Sequence, residues 1–241
     1  MSSILNRVGE TNTTHQGFIM TIIKYESSRN VIIQFNDRHN TIWHTTYQRF
    51  KYGHVENPSV LCMHGRIIYK EDIIDNPIAY NKYRGMLDRC YGIQKGHNVV
   101  YQGCEVCKEW SNFENFLVWF NDNYYSIDDN MDLDKDILGN GKLYSPDTCV
   151  FIPHKLNSQF ARRNNTKFDK DLPMGVTRHK RQGGSVCYRV VVLPHNQLFN
   201  DINEAENAYK QYVKAQYKEF AITYKDIIPQ RLYEKLVDFE K

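Results

Sequence analysis

The stretch Asp132-Leu-Asp-Lys-Asp-Ile-Leu-Gly-Asn-Gly-Lys-Leu-Tyr-Ser-Pro-Asp-Thr-Cys-Val-Phe-Ile-Pro-His-Lys-Leu-Asn157 decides how the chain is read. Leu133 leads into the carboxylate of Asp134, and the Gly139-Asn140-Gly141 run punctuates the chain as a turn. Tyr144-Ser145-Pro146 follows, then an apolar run from Cys149 to Ile152 and a helix start carrying His154 and Asn157. Short β-rich runs on either side of a Gly/Asn turn predict strand, loop, strand and helix, in that order. His154 and Asn157, three residues apart, share one helical face.

Around this stretch, 241 residues suit two or three small domains. A hydrophobic content of 41% with 13% aromatics is enough for packed cores and excludes wholesale disorder. No apolar run approaches the roughly 18 residues of a membrane span. The opening MSSILNRVGE lacks the charged start and apolar block of a secretory signal. Six cysteines without the spacing of a secreted module predict reduced thiols and a cytoplasmic protein. The net charge is only +3, but it is unevenly placed. Residues 76–160 carry 8 basic against 11 acidic groups, whereas residues 161–200 carry 8 against 2. A basic block beside an acidic one suits a phosphate footprint next to a metal site, although ordinary surface scatter gives the same counts.

The N-terminal segment reads as three strands, over 17–26, 29–37 and 40–52, closed by Gly53 and Asn57-Pro58. Arg49, Lys51 and His54 suit either nucleic-acid contact or a solvated edge. Residues 76–91 predict a helix with Asn76 as cap, Pro77 at its first position and a face of Tyr80, Tyr83, Leu87, Cys90 and Tyr91. Ser111-x-x-Glu114 is a capping box opening a second helix that buries Phe113, Phe116, Leu117 and Phe120. After the basic Arg162-Arg163 linker come strands at 175–180 and 186–192, a shorter one near Leu198-Phe199, and a long helix capped by Asp201-x-x-Glu204. Its apolar stripe runs Ala205, Ala208, Tyr209, Tyr212, Val213, Tyr217 and Phe220. Residues 227–241 read as a terminal helix.

Two resemblances organise these elements. Tyr83-x-x-Met86-x-x-Arg89-Cys90-Tyr91, Tyr101-x-Gly103-Cys104-x-Val106-Cys107-x-Glu109-Trp110-x-x-Phe113, Leu133-Asp134-Lys135-Asp136 and Tyr144-Ser145-Pro146-x-x-Cys149 together resemble the HNH-like (ββα-metal) endonucleases of phages and mobile elements. Gly175-Val176, Tyr188-Arg189-Val190 and Ala205…Ala208-Tyr209 resemble the APETALA-type DNA-binding domain that such proteins often carry. The Ile-Ile-x-Tyr strand, Phe-x-Asp turn and Asn57-Pro58 resemble a β-module of the same class of proteins. The implied architecture is α+β in three parts: an N-terminal β-module (1–60), an HNH-like ββα-metal domain (61–163), and an APETALA-like three-stranded sheet packed on a long helix, plus a terminal helix (164–241).

The HNH resemblance implies that Asp134 and Asn157 hold a divalent metal, Mg²⁺ by the hardness of the ligands. Lys135 stands where the family has its general-base His, and Thr148 where it has a loop Asn. A protonated Lys is a poor base, and losing a positioned base costs about 10²–10⁴ in rate. His154 is therefore the candidate substitute as base or ligand, and Asp136 a candidate second carboxylate. The single pair Cys104-x-x-Cys107 argues against structural zinc, even with Cys90 and Cys149 counted. On the C-terminal sheet, period-two alternation sends Val176, Tyr188, Val190 and Val192 to the helix. It leaves Thr177, His179, Arg181 and Arg189 on the opposite face, with Arg178 and Lys180 at the edge. The APETALA resemblance implies that this opposite face lies in the groove of double-stranded DNA, with Arg162 and Arg163 adding phosphate contacts. Lys210, Lys214 and Lys218 suit a solvated helix face. Three functions stay open: a metal-dependent DNA endonuclease, a silent DNA-binding protein on the same scaffold, and a phage factor that blocks a host protein.

Overall fold

The computed structural model describes residues 6–92, 101–127, 130–139, 141–192 except the segment 161–170, and 194–239. It is mixed α+β with several small sheets. Its contacts gather into two compact units, Met1–Asn81 with Ser111–Phe113, and Lys82–Trp110 with Glu114–Lys241. Arg162 and Arg163 lie outside the described residues.

The first unit begins with a four-stranded antiparallel sheet of β1 (Thr11–Thr13), β2 (Ile19–Ser27), β3 (Asn30–Phe35) and β4 (Ile42–Thr45), paired in chain order. Alternation along β2 and β3 buries Met20, Ile22, Val31, Ile33 and Phe35, which pack with Phe50 and Val55. The expected third strand over 40–52 is cut short. Thr46 caps a helix α1 (Tyr47–Lys51), its hydroxyl accepting from the backbone N–H of Arg49 at 3.3 Å. A side-chain cap of this kind offers the backbone an alternative to the β ladder that Thr45, Thr46 and Tyr47 otherwise favour. A hairpin of β5 (Val60–Met63) and β6 (Arg66–Tyr69) follows, then α2 (Lys70–Asp75). Asn76 ends α2, its side chain donating to the carbonyl of Asp72, so its place is a C-terminus as well as the step into α3 (Pro77–Tyr91).

The second unit takes in the rest of α3, the short strand β7 (Glu105–Val106), most of a 3₁₀ turn at Glu109–Ser111 and α4 (Phe113–Asn123) from Glu114 onward. Next come β8 (Met131–Asp134), β9 (Leu143–Tyr144), β10 (Val150–Pro153) and α5 (His154–Phe160). Strands β8 and β10 pair antiparallel, Asp134 opposite Val150 and Asp132 opposite Ile152, and α5 leaves β10 without a break. An aromatic cluster secures this pair: Trp110 meets Phe116, and both Trp119 and Phe120 meet Phe151 of β10, with centroids 5.1 to 5.5 Å apart. Such pairs contribute about 0.5–1.5 kcal/mol each beyond their buried area.

The C-terminal part is an antiparallel sheet of β11 (Val176–Lys180), β12 (Val186–Val192) and β13 (His195–Phe199), covered on one side by α6 (Ile202–Thr223) and followed by α7 (Gln230–Val237). Asp201 caps α6 by accepting from the N–H groups of Asn203 and Glu204. Gly175 has φ +76°, and a Cβ there would stand 2.1 Å from the Tyr209 ring, so helix and sheet approach only because this residue has no side chain. The apolar interior does not stop at the sheet. Val176, Val190, Tyr209, Tyr217, Leu232 and Leu236 share one buried cluster with Ile137, Val150, Ile152 and Leu156. Arg231 of α7 adds hydrogen bonds to the carbonyls of Pro146 (2.8 Å) and Cys149 (2.9 Å) in the loop before β10. The strand pair and the C-terminal sheet therefore share one core. Among the described residues, no helix is long and apolar enough to cross a membrane.

Candidate functional site

Asp132 and Asp134 stand two residues apart on β8 and so point to the same side of the strand. Their environments differ. Asp134 is only 5% exposed, and its Oδ1 accepts from the backbone N–H groups of Asp136 (2.9 Å) and Ile137 (2.8 Å). It closes the turn that leaves β8. Burial pushes its carboxyl up to about 6, against the two N–H donors, which favour the ionised form.

Lys135 is 3% exposed, a buried ammonium. It donates to Asp136 Oδ1 at 2.9 Å and lies 5.5 and 5.4 Å from the ring centres of Tyr101 and Tyr144. Arg89 donates to the Tyr144 hydroxyl at 2.9 Å and lies over the same two rings. These contacts embed the position expected to activate water in aromatic side chains. Thr148, at the loop position, stays local: its hydroxyl donates to the carbonyl of Leu143 (2.7 Å) and meets Ser145 Oγ at 3.0 Å.

The helix residues converge elsewhere than expected. His154 Nδ1 lies 2.7 Å from Asp132 Oδ2, and Asn157 Nδ2 donates to the same oxygen at 3.0 Å. Asn157 thus pairs with Asp132, while Asp134 Oδ1 turns to the backbone of its own loop. The structure brings together Asp132, His154 and Asn157, and sets Asp134, Lys135 and Asp136 in a separate group. Lys82 of α3 borders the first group and donates to the carbonyl of Met131. Burial pulls its ammonium below the ordinary value, partly offset by the charge of Asp132. Sequence reasoning passed over Asp132 and Lys82. The signal for Asp132 was its place two residues before Asp134, which puts both carboxylates on one side of a strand.

An ionised carboxylate only accepts hydrogen bonds, so a neutral His154 places its proton on Nδ1 and leaves Nε2 as the basic nitrogen. The His154 side chain is more than half exposed. The group therefore offers one carboxylate, one imidazole and one amide. Among the described residues, no group of three or more His, Cys, Asp or Glu side chains is placed to hold a metal ion. The Cys104 thiol donates to the carbonyl of Gly141, and burial pushes the Cys149 thiol up to about 12.

On the C-terminal sheet, Thr177 stands opposite Arg189, and its hydroxyl donates to the Arg189 carbonyl. Arg189 donates to Asn196 Oδ1 of β13 at 2.9 Å, which fixes its guanidinium along the sheet. Thr177, Arg178, Lys180 and Arg181 are exposed, and His179 and Arg189 half-buried. Arg178 and Lys180 stand opposite Tyr188 and Val186, on the side that carries Val190 toward α6. Cys187 alternates to the Arg189 side yet is buried, its thiol donating to the His179 carbonyl. Of the lysine row on α6, Lys210 pairs with Glu206 at 2.8 Å, an exposed pair worth about 0.3–0.5 kcal/mol.

No protein-family model, no curated protein and no solved structure matches the chain.

Proposed function

We propose that the chain is a DNA-binding protein of the phage and mobile-element type, built on a divergent HNH-like ββα domain that shares its core with an APETALA-like sheet. One observation carries the reading. From Leu172 to Asn200 there are four Lys or Arg residues and two His, and no Asp or Glu. Thr177 and Arg189 stand side by side in that stretch, with Arg178, Lys180 and Arg181 exposed around them. A sheet that carries Arg189 on the side away from its helix, with Arg178 and Lys180 exposed on the helix side, suits phosphates and the major groove. The antiparallel β8 and β10 followed by α5 support the ββα part of the reading. The burial of Asp134 and Lys135 supports a scaffold whose ancestral catalytic positions now hold structure.

The test is the affinity of the full chain for a 20-base-pair duplex at several salt concentrations. Arg178→Ala with Arg189→Ala is expected to weaken binding at least about tenfold and to make its salt dependence shallower. Lys214→Ala with Lys218→Ala on α6 is expected to change little. Equal affinity in all three proteins sinks the reading.

Metal-dependent phosphodiester hydrolysis is the second reading, favoured by the convergence of His154 and Asn157 on Asp132. It takes Asp132 with Asn157 as the oxygen ligands and His154 as the proton acceptor. Plasmid nicking in Mg²⁺ or Mn²⁺ that is lost in Asp132→Asn supports it. Absence of nicking in both metals removes it and leaves duplex binding in place.

A further inference from the structure

We propose that the first unit carries a site for single-stranded nucleic acid, built on the indole of Trp43 and the cations of Arg49 and Lys70. This goes beyond duplex binding by the C-terminal sheet and does not depend on it.

The site is a hollow of about 550 Å³, lined among others by Gln16, Trp43, Arg49, Asn57, Pro58 and Lys70. Trp43 is 45% exposed although its strand partner Ile33 is fully buried. It lies on β4, the edge of the four-stranded sheet, where its ring forms a wall of the hollow instead of part of the core. The base of the hollow is pre-formed. Asn57 is 2% exposed and donates to Asp37 Oδ2 at 2.7 Å from its side chain and to Gln16 Oε1 at 2.8 Å from its backbone. Asp37 accepts in addition from the backbone N–H and hydroxyl of Thr41, so the Asn57-Pro58 turn is pinned from β3's end. A site that needs no ordering on binding keeps more of its interaction energy.

Its chemistry is aromatic and cationic. Arg49 and Lys70 face one lining carboxylate, Glu56, and among the described residues neither cation is in an ion pair. Arg49 donates its Nε to the carbonyl of His54 at 3.2 Å, which holds the guanidinium in place. Past Arg49 the exposed surface continues through Tyr52 (58% exposed) and the His54 and His15 rings, whose centroids are 4.7 Å apart. Exposed rings interleaved with cations are what unpaired bases and their phosphates require: the bases stack and the phosphates neutralise. Duplex DNA hides its base faces and gains nothing from Trp43. A proline-rich peptide also packs on an indole, but it gives Arg49 and Lys70 nothing to neutralise.

The experiment is fluorescence anisotropy of end-labelled dT8 titrated with the full chain in low salt. Trp43→Ala is expected to weaken binding on the order of tenfold, the size of one lost base stack, and Trp43→Phe to recover most of it. Arg49→Ala with Lys70→Ala is expected to weaken binding and to reduce its salt dependence. Thermal melts of the variants report whether they fold, and both sites are exposed enough that the melts should match wild type. If Trp43→Ala and the double variant bind dT8 as wild type does, the proposal is wrong, whether or not the C-terminal arginine variants weaken duplex binding. Failure of dT8 to bind at all, with a labelled decaproline peptide binding instead, overturns it in favour of a peptide site.

Discussion

Two carboxylates on one strand, Asp132 and Asp134, show how the same side-chain type is satisfied in two different ways. Asp134 is buried, accepts two backbone N–H groups and anchors the turn after β8, with Lys135 and Asp136 as an inner group. Asp132, on the same side but partly exposed, gathers His154 and Asn157 from the next helix as an outer group. The inner group, with the buried Lys135, resembles a nuclease centre by sequence and behaves as a structural lock by geometry. The outer group carries the exposed imidazole. Position along a strand does not assign a role; the neighbours that satisfy each carboxylate do.

The largest expected effects come from the inner group. At pH 5, Asp134→Ala should destabilise the fold by about 1–3 kcal/mol, because the N–H groups of Asp136 and Ile137 lose their buried acceptor. Asp134→Asn keeps a carbonyl oxygen there and should leave stability nearly unchanged. The pH dependence separates acceptor from charge. The folded carboxyl titrates near 6, above its ordinary 3.8, so between these values the native state holds a proton that the unfolded chain releases. The stabilisation is fully present below about pH 4 and is lost as pH rises through 6, by roughly 3 kcal/mol in all. Denaturant melts of wild type should show that decline relative to Asp134→Asn. Parallel curves for the two proteins would mean that Asp134 is not buried as a charge.

Lys135 gives a smaller effect and a sharper one. Lys135→Met keeps the length of the side chain between Tyr101 and Tyr144 and removes a buried ammonium, while Asp136 stays half-exposed and solvated. Replacing a buried ion by an apolar side chain of similar shape is often neutral or stabilising, so a change within about 1 kcal/mol is expected. Lys135→His tests the proposed nuclease likeness by placing an imidazole at this position. It is expected to confer no nicking in Mg²⁺, because the position is buried whatever residue fills it. Nicking by this variant would return the inner group to catalysis.

The strands β8 and β10, the helix α5 and the C-terminal sheet and helix were legible because their apolar residues repeat with the periods of strand and helix. Ala205, Tyr209, Val213 and Tyr217 on the expected stripe are all buried. Strand β1, the hairpin of β5 and β6, and the six-residue α2 are too short to establish a period, and none was expected. The end of β4 was misread because Thr45, Thr46 and Tyr47 favour a strand by propensity, and the Thr46 cap outweighs that preference. For the site, His154 and Asn157 were legible from their helical spacing. Their partner was not, since choosing Asp132 over Asp134 depends on which carboxylate the backbone of residues 136 and 137 reaches first. That is a matter of the turn's path, which depends on packing of Ile137 into the shared core.

The smallest effect on stability belongs to Asp132. Its hydrogen bonds to His154 and Asn157 lie at the surface, where such pairs contribute about 0–1 kcal/mol, so Asp132→Ala should unfold at nearly the same temperature as wild type. What it changes is the imidazole. With Asp132 present, the neutral ring of His154 carries its proton on Nδ1, the nitrogen that faces the carboxylate. With Asp132 removed, nothing at that position selects the tautomer. Nitrogen-detected NMR of the histidine side chains at pH 8 should therefore show His154 as the Nδ1–H form in wild type, assigned by its loss in His154→Gln, and a mixture in Asp132→Ala. A wild-type ring protonated on Nε2 would mean that the carboxylate does not orient it, and the outer group would then be a surface contact without a chemical role.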